Sequence, residues 1–175
     1  MSRQFWTETI AWATVSGTAV SNTASETIIF PDVTIPANYF QDGRLLNLRA
    51  QGEHSTTSTP TLIFRVRGGG VAGTLICLSP TFTTGSGVSH KLWEVDVLIQ
   101  IRTNGSSGTL VAIGDVTVVG ATVPASLMCA GGDNTPATAS FDFTTAFALS
   151  LTAQWGSASS SNTLTGWIYA LGALN

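Results

Sequence analysis

Two carboxylates, Glu94 and Asp96, stand two residues apart in the stretch KLWEVDVLIQIR, Lys91 to Arg102. On a strand they would share one face with their carboxyl groups roughly 7 Å apart, a separation used in glycoside hydrolysis. That chemistry also needs a lined cleft, and no residues elsewhere spell one. The competing reading is a wet outer face whose acids pair with Arg102 or with Arg49 of a neighbouring strand.

The other candidates are thinner. His54 and His90 are the only histidines, both at strand ends beside Ser/Thr loops. Zinc needs three or four ligands at usable spacing, and the chain has neither H-x-H nor C-x-x-C. No G-x-S-x-G or comparable nucleophile turn supports a Ser-His-Asp arrangement. Arg65, Arg67 and the three glycines after them lack the helix and the Gly-Lys-Ser/Thr ending of a phosphate loop. They read as two outward arginines on a strand before a turn, free to form ion pairs across a subunit interface. Trp6, Trp12, Trp93, Trp155 and Trp167 are many for this length. Exposed Trp and Tyr can stack on sugars. The alternative is packing in a core or at protein contacts. Trp167 and Tyr169 are expected on one face of the last strand, lining an interface or a groove. No catalytic residue, cofactor or metal ligand is assigned.

The elements that must position these residues are strands. In Lys91–Arg102, Trp93, Val95, Val97, Ile99 and Ile101 fall on one side of a period of two. Glu94, Asp96, Gln100 and Arg102 fall on the other, with Leu98 the apolar intruder. This is a half-buried strand, long enough to sit mid-sheet. Arg44–Glu53 and Thr61–Arg67 alternate the same way, with Leu62, Phe64 and Val66 inward. Asn104–Gly108, NGSSG, is the clearest hairpin connection and joins the central strand to Thr109–Val119. Residues 120–136 show no period and read as an extended surface loop. Residues 138–143, 147–155 and 164–174 are the last strands. Eight to ten short antiparallel strands with turns every 8–12 residues predict an all-β, single-domain, jelly-roll-like β-sandwich. Its predicted organisation is an N-terminal arm and first irregular strand, residues 1–24, followed by the sandwich, 25–175.

Composition narrows the function classes. The chain has 175 residues and a net charge of −3. It has no Lys/Arg run, which argues against nucleic-acid binding, where clustered cations must replace counterions. No stretch of 18 apolar residues predicts a membrane span, and the first residues lack the pattern of a secretory signal. Only 10% of residues are charged, against about 25% in an average soluble chain. Ser and Thr supply about a quarter of the sequence. With a mean hydropathy of +0.29, much of the surface is expected to be covered by partner subunits. Cys77 and Cys129 are read as buried thiols.

TIIFPDVTIPANYFQDGRLLNLRAQGEHSTTSTPTLIFRVRGGG, KLWEVDVLIQIRTNGSSGTL and ALSLTAQWGSASSSNTLTGWIYALGALN together resemble small β-sandwich structural proteins of tailed bacteriophages. The resemblance spans residues 10 to 175 and is weakest over 120–137. It implies a jelly-roll-like module on the virion. Among such modules, capsid decoration (cement) proteins commonly form trimers on the outside of the head. The expectation is therefore a non-enzymatic decoration protein, a homotrimer, made in the host cytoplasm and bound to the major capsid protein on the phage head surface. The alternative is a tail or head fibre module binding host-surface glycans, which would show an exposed Trp/Tyr platform beside Asn or Asp. Candidate interface residues are Phe5, Trp6, Trp12, Arg65, Arg67, Trp167 and Tyr169. Phe5, Trp6 and Trp12 would tether the domain through its arm.

Overall fold

The computed structural model describes residues 7–129 and 138–174. These form fourteen strands and no helix: β1 Thr7–Trp12, β2 Val20–Ser21, β3 Thr27–Ile28, β4 Val33–Ile35, β5 Leu45–Thr56, β6 Thr61–Gly68, β7 Thr74–Leu78, β8 Phe82–Thr83, β9 Val88–Thr103, β10 Gly108–Val118, β11 Ala125–Cys129, β12 Thr138–Phe141, β13 Phe147–Trp155 and β14 Thr163–Leu174. Phe5 and Trp6 lie outside the described residues.

All pairings are antiparallel. The front sheet runs β1-β14-β5-β9-β10 and the back sheet β7-β6-β13, closed at its far edge by β3 and β4. Strand β11 links the two sheets, pairing β10 along Ile113–Thr117 and meeting β7 at Cys129 opposite Leu78. Without β10–β12, the strands fall in the order β1-β14-β5-β9 over β3/β4-β13-β6-β7. Apart from the neighbours β6–β7, β9–β10 and β10–β11, most pairs join strands distant in sequence. This is the two-sheet, double Greek-key arrangement of a jelly roll.

Alternation decides which residues fill the space between the sheets. On β9, Trp93, Val95, Val97, Ile99 and Ile101 are buried, as are Leu62, Phe64 and Val66 on β6 and Leu149, Leu151, Ala153 and Trp155 on β13. The layers meet through ring contacts such as Phe64 with Trp93, centroids 5.1 Å apart. The two deepest indoles are satisfied: Trp93 Nε1 donates to the Thr165 carbonyl at 3.2 Å and Trp155 Nε1 to the Val20 carbonyl at 3.1 Å. Phe40, Phe141, Phe143 and Phe147 close one end of the core with edge-on contacts.

The NGSSG segment makes the β9–β10 hairpin, with Gly105 at φ +97°. Three segments depart from the sequence reading. The stretch 120–136 is no simple loop: β11 lies within it, and its Ala125–Cys129 segment borrows order from β10. Strand β5 continues through His54 to Thr56, which alternation carries into the core. The third departure is a bulge in β14. Gly166 pairs with Gly52, but Ile168 pairs with Gln51, so Trp167 is the extra residue. The bulge changes the parity. Trp167 and Ile168 are exposed, whereas Tyr169 is buried at 5% exposure. Trp167 and Tyr169 therefore do not share a face.

Candidate functional site

Wet residues of the front sheet line up in rows across its strands. One row runs Trp12, Ala170, Arg49, Asp96, Asp115, Leu127 across β1, β14, β5, β9, β10 and β11. The next row includes Asn47, Leu98 and Ile113, and the one after it Leu45, Gln100 and Val111. Leu98, Ile113 and Leu127 are 44%, 46% and 52% exposed, although all lie in strands. They line a groove of about 610 Å³ over β5, β9, β10 and β11, with Asn47, Asp96, Asp115 and Arg102 at its polar margins. No aromatic residue lines it. Contiguous aliphatic surface with a polar rim is characteristic of a face that meets another protein.

Glu94 and Asp96 flank this groove as an ionic ladder. Arg49 Nε lies 2.8 Å from Asp96 Oδ2, and its Nη2 lies 3.4 Å from Glu94 Oε1. Asn47 Nδ2 donates to Asp96 Oδ1 and Gln51 Nε2 to Glu94 Oε1, each at 2.8 Å. Both carboxylates are held by β5 across one guanidinium. Asp115 sits directly opposite Asp96 on β10. Like charges placed opposite one another destabilise a ladder, and among the described residues Asp115 has no ion-pair partner.

A second groove, of about 510 Å³, opens at the β1 end between Ala11–Thr18, Phe30–Val33 and Tyr169. Trp12, 64% exposed, stands on its wall. Asp32 lies within it, its Oδ1 accepting from Ser150 Oγ at 2.6 Å. Burial pushes the Tyr169 hydroxyl's pKa up, and the charge of Asp32 adds to the shift.

Arg65 and Arg67 lie on the outer face of the back sheet, but their countercharge comes from this same chain. Glu26 accepts from Arg67 Nε at 2.6 Å and Nη2 at 2.9 Å, and lies 3.3 Å from Arg65 Nη1. Thr152 Oγ1 also donates to it, at 2.6 Å. Burial alone would raise the Glu26 pKa, but the hydrogen bonds from Arg67 and Thr152 and the charges of both arginines outweigh it and lower the value. The side chains of all three are largely covered.

His54 is buried, with Nε2 3.0 Å from the Val119 carbonyl and Nδ1 without a hydrogen-bond partner. His90 is exposed, 3.1 Å from Glu53. Among the described residues no group of three His, Cys, Asp or Glu side chains could hold a metal. Cys77 is buried in the core.

Of the candidate interface residues, the structure gives Trp12 and Trp167 exposed indoles, tucks Tyr169 inward, and ties Arg65 and Arg67 to Glu26. It also adds the groove formed by Leu98, Ile113 and Leu127. Leu98 was visible as an apolar residue of the wrong parity. Ile113 needs the β9–β10 register to be seen, and Leu127 needs β11.

No family model matches the chain, and no curated protein matches it. Among solved structures, the fold is similar to the CBM2 module of Lactobacillus casei BL23 phage J-1 evolved Dit, at TM-score 0.42 and 10% identity, over 99% of this chain and 98% of that one. At that score the likeness decides nothing about function.

Proposed function

We propose that the protein is a non-enzymatic structural module of a tailed-phage particle, a decoration or cement protein on the head surface. It would work by burying apolar and hydroxyl-rich surface against the major capsid protein and against copies of itself. The observation that carries this reading is the exposed aliphatic groove of the front sheet, lined by Leu98, Ile113 and Leu127. Aliphatic side chains held on a rigid sheet lose little entropy when covered, and burying each one fully yields about 1.5–3 kcal/mol. The resemblance of the strands and turns to phage structural proteins supports the same reading, as does the scarcity of charge. The resemblance implies a homotrimer, whereas the charges on this face favour a two-fold pair.

The test is to mix purified protein with phage heads that lack it, pellet the heads, and measure bound protein and resistance to heat. Saturable binding with raised heat resistance is expected. Heads that neither bind the protein nor gain stability would refute the cement role.

A second reading is a fibre module for host-surface glycans, and the β1-end groove favours it. An exposed indole, Trp12, and a carboxylate, Asp32, line one cleft, the pairing of stacking face and hydrogen-bond acceptor that sugars use. Binding on a glycan array that is abolished by Trp12→Ala would establish this reading. A blank array would remove it.

A further inference from the structure

We infer that the front-sheet groove pairs with the same groove of a second copy across a two-fold axis, each Arg102 meeting the partner's Asp115. The inference rests on the structural-module reading and names the occupant of its groove.

Three features of the face point to self-pairing. First, its charges are segregated. Asp115, beside Asp96, lies at one end of the aliphatic patch, and Arg102 lies at the other, six residues along β9 from Asp96. At ~3.3 Å per residue these ends are about 20 Å apart. Second, each charge lacks a counterpart among the described residues. Among the described residues neither Arg102 nor Asp115 has an ion-pair partner. Arg102 is also thrown outward by a register shift, since Ile101 pairs with Leu110 but Thr103 with Thr109. Third, the middle is apolar: Leu98 and Ile113 are direct cross-strand neighbours, with Val111 one row beyond.

Consider a two-fold axis lying between the faces, passing midway between β9 and β10 beside Ile99 and turned about 15° from the perpendicular to the strands. The strands of the two copies then run in opposite directions and cross at about 30°. Each Arg102 comes over the partner's Asp115, and the aliphatic middles cover each other. Contacts of this kind are isologous: the same pair of residues meets twice. Four strands ~4.8 Å apart and about 20 Å long make a face of roughly 400 Å² in plan, below the ~800 Å² per partner of a standard stable interface. The pair should therefore be weak, with a dissociation constant in the micromolar to millimolar range.

Sedimentation equilibrium of the full chain, at concentrations up to about 1 mM, reads this out. A monomer–dimer equilibrium that weakens with salt is expected. Arg102→Glu alone or Asp115→Arg alone should weaken it at least about tenfold. The double variant should return to within a few-fold of the parent, because the swapped charges again face each other. Both changes are at exposed positions, and a thermal melt confirms that each of the three variants folds. A monomer throughout, a trimer, or a dimer indifferent to the single reversals would overturn the two-fold pairing. Binding of the Arg102→Glu monomer to phage heads, measured separately, tells apart a failure of this pairing from a failure of the structural-module reading.

Discussion

At the scale of single residues, the most sensitive groups are the buried titratable ones. His54 must keep its proton on Nε2, because that nitrogen faces the Val119 carbonyl at 3.0 Å. A second proton would have to sit on Nδ1, which is buried without a partner. Burial lowers the His54 pKa, and the bond to Val119 only partly opposes this. The unfolded chain, with an ordinary value of about 6.5, then takes up a proton that the folded chain refuses. The stabilisation is complete above that value and is lost as pH falls below it. Denaturant midpoints should therefore drop as pH falls below about 6.5. In His54→Gln that slope should be absent, at a cost of about 1 kcal/mol at neutral pH. Glu26 acts in the same direction at lower pH. Its lowered pKa makes it a source of stability above the ordinary carboxylate value of about 4.3, lost as pH falls through the folded value. Glu26→Gln leaves Arg65 and Arg67 covered without a countercharge and should cost on the order of 2 kcal/mol in a urea titration at pH 7. Little of this was legible in the sequence. Arg65 and Arg67 were visibly outward on an alternating strand, but their partner lies about forty positions earlier, beside no strand period of its own. Glu94 and Asp96 were more readable, because their countercharge, Arg49, lies on the adjacent strand with a matching period.

At the scale of elements, alternation predicted β5, β6, β9 and the hairpin into β10, because each has one dry and one wet face and the period of two records that asymmetry. It failed where the backbone breaks the period. In β14 the residues on either side of Trp167 read as one regular strand, yet the bulge turns Trp167 outward and Tyr169 inward. The local clue is the glycine pair Gly166 and Gly52, which face each other beside the bulge. A Cβ on Gly166 would lie 2.3 Å from the Phe30 ring, and one on Gly52 would lie 2.0 Å from the Thr165 carbonyl. Gly166 is closed in by the Phe30 ring and Gly52 by the β14 backbone and the Trp93 ring, so neither has room for a side chain. Gly166→Ala should therefore cost about 2 kcal/mol or more in thermal or chemical denaturation. Trp167→Ala, at the exposed bulge residue itself, should change stability by less than about 0.5 kcal/mol. Equal effects of the two changes would contradict the bulge. Strand β11 was illegible for a different reason: it is short, lies between glycine- and proline-containing segments, and owes its order to β10.

At the scale of the whole molecule, the jelly roll explains why the groove is rigid enough to serve as a docking face. The front sheet is backed by a continuous apolar layer from β6 and β13, and its long central strands β5, β9 and β10 are each paired on both sides. Side chains on its wet face can therefore be changed with little effect on the fold. Ile113→Lys should leave the melting temperature within a few degrees of the parent while weakening self-association by tenfold or more, because a lysine amine would be desolvated where the parent buries an aliphatic group. The fold class and the low-charge surface were legible from alternation and composition. The groove was not, because it is a property of register across four strands, and register is written in no single segment. The most direct test of the account is a cryo-electron microscopy reconstruction of phage heads carrying the bound protein. The account predicts ordered density on the outer shell in which the face formed by Leu98, Ile113 and Leu127 is covered by protein. Density that leaves this face open to solvent, or no ordered density on the head, would contradict it.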